Sequence, residues 1–157
     1  MKEASTARGR ENGVNGRCAN CLDDQEHTLH LMYECPTAAQ LLDEVYRSFN
    51  LVLPPLVGND GFPLVMSIDQ VIFFHLPPEL PSDVKQDIND VLMIVKHSLY
   101  RLRMRDDQDV VPSLFDSLLH VTIELGKLSH CRFAKAMDYR IIDSIKSKLE
   151  SVMGLNP

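Results

Sequence analysis

Apolar residues recur along this chain at helical rather than strand spacing. From Pro36 and Thr37 onward, Ala38, Leu41, Leu42, Val45, Tyr46 and Phe49 share one helical face. A second run, Ile88, Val91, Leu92, Val95, Leu99 and Leu102, predicts the strongest helix, over about 83–106, with Ser82 as its N-cap. Val111, Leu114, Leu118, Val121, Leu125 and Leu128 continue the pattern to Gly126 and Ser129, with Pro112 placed in a first helical turn that tolerates proline. Met137, Ile141, Ile145, Leu149 and Val152 predict a last helix over about 131–153, closed by Gly154 as a C-cap. Strand alternation is nearly absent, so the expected fold class is all-α.

Punctuation divides the chain. Residues 1–16 are polar and glycine-bearing with almost no bulky apolar side chains, which predicts a disordered tail. A Cys/His cluster and the helix after it occupy 17–50. Prolines 54, 55, 63, 77, 78 and 81 with Gly58 and Gly61 make 51–82 a connector, interrupted by a short helix at Val71-Ile72-Phe73-Phe74. A helical bundle over 83–153 follows. The expectation is a small metal-organised module ahead of a bundle.

The cluster is the one constellation that carries chemistry. Cys18, Cys21, His30 and Cys35 give Cys-x2-Cys-x8-His-x4-Cys, a tetrahedral ligand set of thiolates and an imidazole that suits structural Zn²⁺ rather than magnesium or calcium. Four protein ligands leave no open position, so such a site would not activate water. His27 competes with His30 for the third place, and a disulfide or plain buried thiols are the alternatives. Cys131, at a helix start, is expected to be a free thiol.

Net charge is −6, with an isoelectric point near 5.4, which argues against a broad phosphate-gripping face. Two basic stretches remain: Arg17 and the residues before it, and 96–105, where Lys96, Arg101, Arg103 and Arg105 have no acid among them. His97, Arg101 and Arg105 share a helix face with Tyr100 beside them. That arrangement fits stacking on RNA or DNA, and equally a solvated face that suits the helix dipole. The pairs Asp43/Glu44 and Asp87/Asp90 are expected to be solvated helix faces rather than acid/base dyads. No apolar run approaches the roughly 18 residues of a membrane span, and the N-terminus lacks a secretory signal. An intracellular chain, nuclear or cytoplasmic, is expected.

The stretch Cys18-Ala-Asn-Cys-Leu-Asp-Asp-Gln-Glu-His-Thr-Leu-His-Leu-Met-Tyr-Glu-Cys-Pro36 resembles the Cys/His motif downstream of the polymerase in LINE-type (non-LTR) retrotransposon reverse transcriptases. Ile72-Phe73-Phe74 is similar to that family's Ile/Leu-Phe-Gly clump, with His75 where glycine is usual. Val91 to Arg103 and Pro112 to Glu124 look like the family's later helices, so the resemblance covers most of 17–130. It implies an accessory segment that helps the polymerase part of the element hold template RNA or target DNA, through Arg17, Lys96, Tyr100, Arg101, Arg103 and Arg105. The polymerase's aromatic-x-Asp-Asp signature and the Pro-Asp pair of the associated endonuclease are both missing. The chain is therefore expected not to be an enzyme. A helical protein-interaction module derived from a retroelement fragment is the second expectation, and the acidic balance favours it.

Overall fold

The computed structural model describes residues 17–22, 27–53, 64–105, 110–133 and 140–155, with the backbone alone for 131–133 and 140. The expected tail at 1–16 lies outside the described residues, as do the connector's 54–63. Among the described residues there is no extended strand, and the all-α expectation holds. A π-helical turn, His30–Glu34, leads into α1 (Pro36–Val52). The short α2 (Ile68–Phe73) follows, then α3 (Ser82–Arg103), α4 (Leu114–Phe133) and α5 (Arg140–Val152).

Each of the long helices α1, α3, α4 and α5 touches the other three. Their apolar stripes close one core: Leu41, Leu42, Phe49, Ile88, Leu92, Leu99, Leu118, Leu125, Ile142, Ile145 and Leu149 are all buried to 2% exposure or less. That core does not divide at the connector. The helix after the cysteine cluster packs on α4 and α5, and Cys18, Cys21 and Cys35 belong to the same buried cluster as Leu149. Helices α1 and α3 approach each other least of the six pairs, and the π turn bridges them while also supporting α2.

Several boundaries differ from expectation for local reasons. Helix α3 starts at Ser82, with Pro81 in the cap position and no side-chain cap bond, so Ser82 is the first helical residue and not the cap. Helix α4 is capped by Ser113. Its Oγ accepts from Asp116 N at 3.1 Å, while the Asp116 carboxylate accepts from Ser113 N at 3.2 Å and from Ser113 Oγ at 2.6 Å. This reciprocal pairing is a capping box, and it places Pro112 before the helix rather than in its first turn. Gly126 does not end α4. A Cβ there would make ordinary contact with the end of the Lys146 side chain at 3.4 Å, and the helix runs on to Phe133. Residues 131–133 thus end α4 instead of opening the last helix.

The C-terminal expectation is met. Gly154 has φ +71°, Leu155 N bonds Glu150 O at 2.9 Å and Gly154 N bonds Ser151 O at 3.0 Å, the two bonds of a Schellman motif.

Candidate metal centre

Three short structures bring the ligands together. In the Cys-x2-Cys turn, Leu22 N closes on Cys18 O at 2.8 Å, with Leu22 at φ 65°. A left-handed conformation costs a residue with a Cβ roughly 1–2 kcal/mol and persists where surrounding contacts enforce it. The π turn, closed by Cys35 N on His30 O at 2.7 Å, widens the backbone so that His30 points inward. Such one-turn widenings recur at functional sites. Cys35 then occupies the N-cap of α1, with Pro36 next to it, where the positive end of the helix dipole favours a thiolate.

One ligand atom from each of Cys18, Cys21, His30 and Cys35 falls within 4.8 Å of all the others, so these four can hold a metal ion. Cys18 Sγ lies 3.8 Å from Cys35 Sγ, and Cys21 Sγ lies 3.3 Å from His30 Nε2. All four are buried, at 0%, 8%, 3% and 0% exposure in chain order. His27 stands outside it: its Nδ1 accepts the His30 backbone N–H at 3.2 Å and its Nε2 lies 3.7 Å from Glu34 on the surface. All three described cysteines are free thiols rather than a disulfide. The side chain of Cys131 lies outside the described residues.

A hydrogen bond joins two of the thiols, Cys18 Sγ to Cys35 Sγ. Cys18 donates to Cys35 and is held far above its ordinary range, first by that bond and then by burial. Cys35 is pulled below its ordinary value by the bond from Cys18, helped by the N–H groups of Ala38 and Thr37 at the start of α1. The N–H groups of Asn20 and Cys21 act on Cys18 in the same sense. A bound cation displaces such a proton, and the directed N–H groups stabilise the thiolates that result.

Asn20 and Thr37 also belong to the site, although neither is a ligand. Asn20 is fully buried, its Nδ2 donates to Leu99 O on α3 at 3.2 Å, and its own carbonyl accepts from Thr37 Oγ1 at 2.6 Å. The only sequence signal was a polar residue inside the Cys-x2-Cys turn, too common to mark a role.

The basic residues singled out in the sequence do not form one open surface. Lys96 is turned toward α2, bonding Ile72 O at 3.1 Å with its Nζ 3.8 Å from the Phe74 ring centre; burial lowers its pKa. Arg103 is 6% exposed, packed against Met104 Sδ and near the Tyr100 ring. Arg105 bonds Leu102 O at 2.9 Å and Val110 O at 2.6 Å, tying the end of α3 to the start of the next segment. Arg17, His97, Tyr100 and Arg101 are exposed. Even there α4 supplies acids: Glu124 is lowered chiefly by Lys127 and also by His97 and Arg101, and Asp116 chiefly by Ser113 and also by Arg105.

The carboxylate pairs have local partners as well. Arg47 reaches Asp43 at 3.1 Å and Glu44 at 2.9 Å, and Asp90 accepts from Gln86 at 2.9 Å, whereas Asp87 is buried at 9% exposure and not on the solvated face expected for it. Among the described residues no helix is long and apolar enough to cross a membrane. Compared with known proteins, the chain matches no family model, no curated protein and no solved structure at a significant level.

Proposed function

We propose that this chain is a non-catalytic accessory module organised by structural Zn²⁺, of the kind that follows the polymerase in LINE-type reverse transcriptases. The observation that carries the proposal is the buried Cys3His cluster. Around a tetrahedral zinc with Zn–S near 2.3 Å and Zn–N near 2.0–2.1 Å, an S···S edge is about 3.8 Å and an S···N edge about 3.5 Å. The Cys18–Cys35 and Cys21–His30 separations, 3.8 and 3.3 Å, stand close to those edges. Three thiolates and an imidazole select a soft-tolerant tetrahedral ion over oxygen-seeking cations. The retroelement part of the proposal rests on the motif from Cys18 to Pro36 and its downstream helices. Contact with RNA or DNA in this reading falls to Arg17, Tyr100 and Arg101, the exposed members of the basic set.

A second reading, docking to a protein, is favoured by a specific surface. Met93, His97 and Tyr100 on one face of α3, and Met104 at its C-cap, are spaced 4, 3 and 4 residues apart, and Met93, Tyr100 and Met104 are 55%, 46% and 46% exposed. Elemental analysis of the purified protein tests the metal: about one zinc per chain is expected, and its absence after refolding with zinc removes the proposal. Binding titrations at several salt concentrations separate the two partners, because only phosphate contacts weaken steeply with salt.

A further inference from the structure

We infer that Asn20 is the positioning residue that couples metal occupancy to the closure of the helical bundle, so that zinc affinity and bundle stability are one linked equilibrium. The inference rests on the metal reading above and deepens it. Asn20 is the residue before a ligand and is fully buried, and it touches three parts of the molecule at once. Its N–H is directed at Cys18. Its carbonyl accepts from Thr37 in the first turn of α1, at 2.6 Å. Its side-chain amide donates to the Leu99 carbonyl on α3, 79 residues along the chain, at 3.2 Å. Helices α1 and α3 also touch each other directly, and this residue and the π turn add a second join between them.

The coupling follows from entropy and linkage. Without a metal, a Cys-x2-Cys turn with a left-handed leucine at its end has many competing conformations, and holding Asn20 between two helices costs their loss. A bound ion fixes the turn and presents the amide already aimed at Leu99. Ordering is then charged to metal binding, and the free energy of binding becomes folding free energy. Reciprocity requires that the factor by which the metal tightens the Asn20 contacts equal the factor by which those contacts tighten metal binding.

Asn20→Ala tests this in the full chain, with Zn²⁺ affinity measured by competition against a chromophoric chelator. Loss of one buried hydrogen bond predicts about a tenfold weaker affinity, and a smaller zinc-induced rise in unfolding temperature than in the wild type. The Co²⁺-loaded variant keeps a tetrahedral d–d spectrum, because all four ligands are intact. Thr37→Val, which removes the bond at the other side of Asn20, moves affinity in the same direction and serves where Asn20→Ala does not fold. Unchanged zinc affinity, with apo and zinc-loaded forms destabilised equally, would reduce Asn20 to an ordinary buried hydrogen bond and overturn the inference. A wild-type chain that binds no zinc overturns the metal reading instead, and the two failures are distinct.

Discussion

Lys96 Nζ sits 3.8 Å from the centre of the Phe74 ring and 3.1 Å from the carbonyl oxygen of Ile72, closing the C-terminus of α2 with a side chain from α3. Phe74 is itself in the left-handed region, φ 58°, the conformation that ends short helices at glycine when one is available. The cation satisfies an otherwise orphaned terminal carbonyl and covers the ring whose backbone is strained. Lys96→Met keeps the stem and removes the charge. It is expected to destabilise the fold by about 1 kcal/mol, a half-exposed cation–π contact plus a charged hydrogen bond less the relief of desolvation. Urea unfolding measures this, and unchanged stability would show that the contact is incidental.

The metal centre makes a sharper prediction. Cys21→Ser and Cys35→Ser should each abolish stoichiometric zinc, since a tetrahedral site of three ligands is incomplete. Cys131→Ser and His27→Ala should leave it intact, because His27 faces Glu34 and the four ligand atoms gather without it. Equal zinc in wild type and a Cys18/Cys35 double variant would sink the assignment.

The Ser113–Asp116 capping box predicts a pH-dependent contribution. Ser113→Ala should cost about 1 kcal/mol at neutral pH. Asp116 is held below its ordinary 3.8, first by the side-chain bond from Ser113 and then by the backbone bond. A carboxylate with a depressed folded value contributes stability that is complete above its unfolded value and is lost as pH falls through the folded one. The stability gap between wild type and Asp116→Asn should therefore be present at pH 5–7 and shrink below pH 3.8. A gap that persists at pH 2 would mean that packing, not charge, is responsible.

Much of this was legible because hydrophobic spacing and ligand spacing are local signals. Leu41, Leu42, Val45 and Phe49 announced α1, and Cys18, Cys21, His30 and Cys35 announced the cluster, without any knowledge of the fold. Gly154 closes α5 as its sequence position suggested. What escaped was set by tertiary contacts. The prolines of 51–82 promised two parts, yet Phe49 and Ile145 lie in one core, because apolar faces find each other regardless of the connector between them. Lys96, Arg103 and Arg105 belong in sequence to one acid-free basic stretch over 96–105. The partners of Lys96 and Arg105 at Ile72 and Val110 lie in segments that no helical wheel of α3 displays.

The single core changes what truncation should do. A chain beginning at residue 82 lacks α1, whose Leu41, Leu42, Val45 and Phe49 are completely buried. Such a fragment is expected to keep helical far-ultraviolet dichroism while losing cooperative unfolding, since the faces of α4 and α5 that met α1 are left in water. Within the full chain, Phe49→Ala should cost roughly 3–5 kcal/mol. A cooperative thermal transition in the 82–157 fragment would restore the division into independent parts.

Salt dependence decides which cations meet a polyanion. Each phosphate contact contributes about 0.7–0.9 to the slope of log affinity against log salt, the lower figure for single strands. Arg17 and Arg101 are exposed, whereas Lys96 and Arg105 already hold backbone carbonyls. Replacing Arg17 and Arg101 together by Ala should therefore flatten the slope for RNA or DNA by about 1.4–1.8. Lys96→Met should leave it unchanged, because moving Nζ to a phosphate would give up Ile72 and Phe74. The helix tolerates the arginine change, since Ala is the better helix former and Arg101 lies off the buried stripe. If Lys96→Met flattens the slope as much as Arg101→Ala, the stripe opens on binding and Lys96 leaves α2 to join it. If no variant changes the slope and affinity is absent at low salt, the exposed face of Met93, Tyr100 and Met104 is left as the better candidate for contact, and with a protein.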